Sequence, residues 1–262
     1  MLSSYDFAEP AAYLASSEQS AAGLSKENVG KLHAPYEPWR AVAAVANQWV
    51  GYSVATAVDL ATSYLILDRL NVDLIRIEAA NNDAFSTNLL TSAPIPTIAD
   101  PLDGRRKLWF SLAGFGAGTR TRFRVRADAT AATVDGSSAF MVGSLAVART
   151  AVNHARNFTF PIGETPLRAA RVDDTRAGGG RRPVGVGNDY CRLSLSTTCW
   201  PYEMRAEALA FLRAGEDKLM WFAPDNANPW RSYLGWLVGQ ATLQQAGVNK
   251  LTLAGVVLEE AV

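Results

Sequence analysis

The chain is predicted to be mainly β: a β-sandwich, followed by a second β-rich α+β unit that contains one helix. Three observations predict this. Short runs of β-branched and aromatic residues recur about every ten residues, separated by Asn, Asp and Ser clusters, which is sandwich spacing. Inside the runs apolar and polar residues alternate with a period of two, as in residues 120–126 and 190–196. Only one stretch, near 201–213, places Met204, Ala208, Phe211 and Leu212 at helical spacing.

Composition narrows the class. At 262 residues the chain can bury a real core, as one large β-domain or two smaller ones. Its 25 basic residues are balanced by 25 acidic ones, which argues against a bulk polyanion partner and direct nucleic-acid reading. The first residues are rich in Ser, Ala and Glu, so no signal-peptide layout is read there. No apolar run approaches the roughly 20 residues that span a bilayer, so membrane insertion is not expected. Folding in a reducing cytoplasm follows from these readings, with Cys191 and Cys199 as core thiols rather than a disulfide. Two cysteines with His33 and His154 fall short of a zinc or iron–sulfur set, so neither metal nor cofactor is expected.

Taken in order, residues 1–38 read as an N-terminal arm with Tyr5, Phe7, Tyr13 and Leu14 as its only large anchors. A brief helix is expected around residues 10–17. The arm reads either as a strap on its own domain or as a tether to a neighbouring subunit. Residues 39–150 read as the sandwich, with strands around Val58, residues 64–70 and 72–78, and 107–112. Residues 80–103 form a proline-punctuated connection that excludes a central strand, and connections of that length usually carry function. In residues 120–126, Arg120, Arg122, Arg124 and Arg126 fall on one face of a strand, with Thr121, Phe123 and Val125 on the other. Such a ladder repels itself unless acids or a partner offset it. It reads as a solvated face with Glu78 and Asp128 as counter-charges, or as a docking face for an acidic subunit or a sugar.

Residues 151–262 read as the β-rich α+β domain. Phe158, Thr159, Phe160, Pro161 and Ile162 suggest a strand ending at proline. Arg176, Arg181 and Arg182 flank three consecutive glycines in a basic loop that is costly to order. Gly185 and Gly187 lack the rest of a phosphate-loop signature. Residues 190–236 read as one scaffold: a strand, a helix opened by Pro201 and capped at Gly215, an apolar run at 219–223 and a Trp/Tyr-rich close. Leu251, Leu253, Val256 and Leu258 mark the final strands.

No catalytic set emerges. No serine sits in a Gly-x-Ser-x-Gly elbow, and neither histidine has a partner at motif spacing. Asp173, Asp174 and Asp225 read as loop acids that form turns. Trp200, Trp221 and Trp236 read as core, while exposed aromatic residues such as Trp109 or Trp230 could contact a glycan.

Two stretches carry a resemblance. Val58-Asp59-Leu60, residues 70–79, Arg120-Thr121-Arg122-Phe123-Arg124-Val125 and Val142-Gly143-Ser144-Leu145 resemble the jelly-roll, discoidin-like module of phage tail structural proteins. Residues 185–195, the helix from Glu203 and Trp221-Phe222-Ala223-Pro224-Asp225 are similar to the region after that module in minor-tail and distal-tail-like proteins of long non-contractile-tailed phages. The resemblance implies a virion protein of the tail tip or baseplate, made in the host bacterial cytoplasm. It would form a three-fold or six-fold ring and join the tail tube to the hub or receptor-binding parts, with the tape measure as a further neighbour. Arg120, Arg122, Arg124, Arg126, Arg176, Arg181 and Arg182 would then make subunit contacts. The alternative is a carbohydrate-binding module that meets the host surface through Trp109 or Trp230. Neither reading expects an enzyme.

Overall fold

The structure is a computed structural model that describes residues 2–32, 38–42, 44–100, 104–153, 159–168, 171–175, 181–185, 189–196, 198–238 and 241–260. It is mainly β. The strands are β1 (Leu2–Phe7), β2 (Pro10–Ala15), β3 (Trp39–Arg40), β4 (Trp49–Asp59), β5 (Tyr64–Leu70), β6 (Leu74–Ala80), β7 (Leu90–Thr91), β8 (Ile95–Pro96), β9 (Leu108–Ser111), β10 (Thr119–Ala127) and β11 (Met141–Asn153). They continue as β12 (Thr159–Arg168), β13 (Arg171–Thr175), β14 (Arg181–Gly185), β15 (Asp189–Ser196), β16 (Thr198–Pro201), β17 (Met220–Ala223), β18 (Tyr233–Val238), β19 (Thr242–Gly247), β20 (Lys250–Ala254) and β21 (Val256–Glu260). Helix α1 (Arg205–Asp217) lies between β16 and β17.

The chain divides into two compact units, residues 1–154 with 221–233, and residues 155–220 with 234–262. The first is a sandwich. One sheet runs β17-β1-β11-β5-β9 with β3 also on β11, and the other runs β2-β4-β10-β6-β7 with β8 on β6. Alternation fixes which side of each strand faces inward. On β10, Phe123, Val125 and Ala127 are fully buried while the arginines between them point outward. Val50, Tyr52 and Val54 of β4 and Ile75, Ile77 and Ala79 of β6 join them. The facing sheet supplies Leu65, Leu67, Val142, Leu145 and Val147 to the same core. Trp39 closes one edge, fully buried, with its indole N–H donated to the Ser17 carbonyl (2.9 Å) and its ring edge-on to Phe140.

The N-terminal segment is not a separate arm. Strand β1 is inserted between β11 and β17, and β2 pairs with β4 in the opposite sheet, so residues 2–15 are built into both layers. Instead of the expected helix at 10–17, an edge strand forms. Pro10 sits at its first residue, where a missing N–H costs little, and Tyr13 lies opposite Tyr52 with its ring edge-on at 6.3 Å. The expected boundaries at 38 and 150 are replaced accordingly. Residues 221–233 also leave the scaffold unit read from 190–236, because Trp221, Phe222 and Ala223 pair with Ser4, Ser3 and Leu2.

The second unit holds the sheet β12-β15-β21-β18, the ladder β13-β14 and the sheet β16-β20-β19. Ala208 of α1 packs on Leu251 with Met204 and Leu243 around them, and Phe211 and Leu212 are buried, as the helical spacing requires. Gly235 admits no side chain, because a Cβ would lie 2.7 Å from the Glu259 carbonyl carbon. Several sequence expectations change here. The helix runs on through Gly215 to Asp217 instead of capping there. Strand β12 continues past Pro161, which the edge position tolerates. Asp173 and Asp174 lie on β13, in register with Pro183 and Arg182 of β14, and are not loop acids. Arg181 and Arg182 open β14 rather than sit in a loop. Arg176, His33, His154 and Gly187 lie outside the described residues, as do the side chains of Arg181, Arg182, Cys191, Cys199 and Trp200.

Candidate functional site

Where β5 ends and β11 begins, the sandwich opens into a pocket of about 350 Å³ lined by Arg69, Leu70, Asn71, Gly104, Arg105, Arg106, Val134, Asp135 and Met141. Three separate segments converge on it. The first is the turn from β5 to β6. Arg69 adopts a left-handed backbone (φ 56°), a conformation that costs a side-chain-bearing residue roughly 1 kcal/mol. Strained residues of this kind concentrate at functional sites. Its N–H is held by the Asp68 carboxylate at 2.8 Å.

Asn71 is the hub of the site and is buried. Its amide NH₂ donates to the Ser137 hydroxyl and to the Ala139 carbonyl, both at 2.8 Å, with Asp135 beside them at 3.3 Å. Its Oδ1 accepts from the Met141 N–H at 2.7 Å. One side chain thereby pins the loop that leads into β11. The backbone agrees, since the Val134 N–H donates to the Asn71 carbonyl at 2.8 Å. Burial raises the Asp135 carboxyl's affinity for a proton, but donation from the Ser137 hydroxyl and N–H and from Asn71 outweighs it and holds the pKa below the ordinary value.

The third segment carries Arg105 and Arg106. The Leu70 N–H donates to the Arg106 carbonyl at 3.0 Å, which ties the segment to the end of β5. Arg105 pairs with Asp68 at 3.5 Å, both side chains being only 11% exposed. Arg106 donates to the Thr97 carbonyl and, at 3.0 Å, to the Thr97 hydroxyl. The result is a mouth with three guanidinium groups, of which Arg105 and Arg106 are held by Asp68 and Thr97, one carboxylate and an apolar wall formed by Leu70, Met141 and the exposed Val134. Such a surface presents fork donors to ring hydroxyls or carboxylates and an acceptor to hydroxyl protons. Its size falls within the ~300–1,000 Å³ range of small-molecule sites.

The arginine ladder lies elsewhere, on the outer face of the second sheet. Glu78, with its side chain 2% exposed, accepts from Arg124 and pairs with Arg126 at 2.8 Å. Arg122 pairs with Asp83, Arg126 donates to Asn47 at 2.9 Å, and Arg120 donates to the Asn88 carbonyl at 3.0 Å. The Arg124 guanidinium also lies against Trp49 (4.7 Å) and Phe85 (4.0 Å), whose rings touch each other at 5.6 Å. Phe85, at φ 50°, buries its ring there, and that burial offsets its backbone strain. Gly51, opposite Arg124 on β4, leaves room for this packing, since a Cβ would fall 2.6 Å from the Arg124 Cβ.

Asp128 is not a rung of this ladder. It accepts from Arg76 at 2.5 Å, and the Thr130 N–H, Arg76 and the Thr130 hydroxyl together hold its carboxyl at about 2. A depressed carboxyl stabilises the fold above its unfolded value near 3.8, and that contribution is lost as pH falls through about 2. Thermal melts between about pH 5 and pH 2 should therefore show a shallower acid limb for Asp128→Asn than for the wild type.

Trp109, on β9, is half-buried and packs edge-on against Tyr64 (5.8 Å) and Trp221 (6.0 Å), with its backbone N–H donated to the Pro229 carbonyl at 2.8 Å. Trp230 is half-buried in the following turn. Neither lines the pocket, and the residues that do were not singled out from the sequence. The available signal was the Arg105-Arg106 pair at the end of the proline-rich connection already read as functional.

No protein-family model matches the chain, and no curated protein does. Among solved structures, chitosan-binding module 1 of a chitosanase/glucanase from Paenibacillus sp. IK-5 is similar at 19% identity and TM-score 0.38, over 52% of this chain and 92% of that one. The CBM32 of AlyQ in complex with 4,5-unsaturated mannuronic acid is similar at 14% identity and TM-score 0.39, over 54% and 96%. The arabinofuranosyltransferase AftD from Mycobacteria reaches TM-score 0.39 at 15% identity, over 73% of this chain and 16% of that one. These neighbours include a chitosan-binding module and a CBM32. At these scores and identities the likeness carries no argument about ligand.

Proposed function

We propose that the chain is a non-catalytic binding module that holds a saccharide in the pocket at the end of the sandwich. The observation that carries this reading is the convergence of Arg69, Arg105 and Arg106 with Asp135 around an open space of about 350 Å³. Asn71 organises the loop and Arg106 presents its fork from the opposite wall. Sugars offer many hydroxyls in fixed directions, and rigid, planar donors select among them at little entropic cost.

Calorimetric titration of a panel of neutral and acidic oligosaccharides tests the proposal. Arg106→Ala should weaken binding by roughly 10- to 100-fold, the worth of a hydrogen bond to a charged group, while circular dichroism stays unchanged. Trp230→Ala should leave binding as it was. The opposite pattern would move the site to the aromatic residues.

The ring-forming tail-tip reading has no observation of this kind behind it. Glu78, Asp83, Asn47 and the Asn88 carbonyl of the same chain engage the guanidiniums of Arg120, Arg122, Arg124 and Arg126 that it would use for contacts.

A further inference from the structure

A second cavity, of about 290 Å³, lies under the corner where the chain passes from β1 to β2. Phe7, Ala8, Pro10, Leu32, Leu145 and Ala146 give it apolar walls, and the exposed Glu9 stands at its mouth. Tyr52 of β4 also lines it, 1% exposed, and among the described residues its hydroxyl has no hydrogen-bond acceptor. The Val147 N–H lies beside that oxygen and favours the phenolate, but it supplies no acceptor for the hydroxyl hydrogen. An orphaned buried hydroxyl is a cost that a folded chain rarely carries without use. Desolvation holds the phenol well above its ordinary range, so the group is a donor at any physiological pH.

We propose that this cavity is a second binding site, which takes a compact, uncharged, largely apolar molecule whose single carbonyl or ether oxygen accepts from the Tyr52 hydroxyl. The walls set the class: six apolar side chains offer dispersion, and apart from the Glu9 carboxylate at the mouth no lining side chain but Tyr52 can hydrogen-bond, so a polyhydroxylated sugar would leave most of its groups unpaired there. The volume is about twice the ~150 Å³ that accommodates benzene in an apolar cavity, so a substituted ring or a short branched chain fits. This site is independent of the saccharide pocket.

The full chain is titrated with acetophenone and with cumene, which match in shape and differ in the oxygen, followed by calorimetry and ligand-observed NMR. Acetophenone should bind about tenfold tighter than cumene. In Tyr52→Phe the two affinities should become equal, and in Ala146→Leu, which fills the cavity, both should be lost. Tyr52→Phe should melt at or above the wild-type temperature, since it removes a buried hydroxyl that has no acceptor among the described residues. Absence of binding by both probes, survival of the preference in Tyr52→Phe, or a lowered melting temperature for that variant would each overturn the proposal.

Discussion

Glu78→Gln should lower the stability of the sandwich unit by about 3–5 kcal/mol, with a fall in melting temperature of roughly 10 °C. The side chain is 2% exposed and answers two guanidiniums, Arg124 and Arg126. Glutamine keeps the shape and one acceptor but removes the negative charge, leaving two cations crowded on one face with Arg76 as a further neighbour in register on β6. Breaking one side of a buried pair is costly because the other side stays desolvated. The account also predicts partial rescue. Glu78→Gln combined with Arg124→Met should recover about half of the loss or more, since the methionine stem can still pack against Trp49 and Phe85. Thermal and urea melts of the two variants check this, and additive losses would remove the ion pair from its assigned role.

Asn71→Ala should cost about 3 kcal/mol and abolish saccharide binding together. The substitution leaves the Met141 N–H at the start of β11 without its partner, an orphan worth roughly 1–3 kcal/mol, and leaves the Ala139 carbonyl with the Ser137 hydroxyl at 3.2 Å in place of two donors. It also frees Ser137 and Asp135 from the side chain that holds their loop against the pocket. Hydrogen exchange should show the amides of residues 133–139 losing protection while those of β10 keep theirs. Arg106→Ala separates the two effects, because it should weaken binding roughly 10- to 100-fold while the amides of residues 133–139, whose loop Asn71 still holds, keep their protection.

Much of the fold was legible because it follows from local period. The alternation of Phe123 and Val125 with the arginines dictates which face of β10 is buried, and the spacing of Ala208, Phe211 and Leu212 dictates the face of α1. What local period cannot carry is pairing between distant segments. Residues 2–15 hold too few large apolar groups to read as strands by themselves, yet they satisfy their backbone on β11, β17 and β4. Trp221, Phe222 and Ala223 likewise look like part of their own neighbourhood until β1 is placed beside them. The arginine ladder drew attention because its charge is conspicuous in one strand, whereas its partners come from β6 and from the loop after it. The pocket was invisible for the complementary reason. Arg69, Arg106 and Asp135 are unremarkable where they stand in the chain, and only the register of β5 with β11 and the reach of Asn71 across 68 residues to the Ala139 carbonyl bring them together. The same limit applies to Tyr52, an ordinary core aromatic in sequence whose hydroxyl matters only because the fold leaves it unanswered.

The central claim is tested most directly by titrating an isotopically labelled chain with the oligosaccharide that binds best and following backbone amide shifts. The account predicts saturable shifts concentrated at Asn71, Gly104, Arg105, Arg106 and Val134 to Ser137, with none at Trp109 or Trp230. Shifts confined to the surroundings of those tryptophans, or an absence of saturable shifts with every saccharide of the panel, would contradict it.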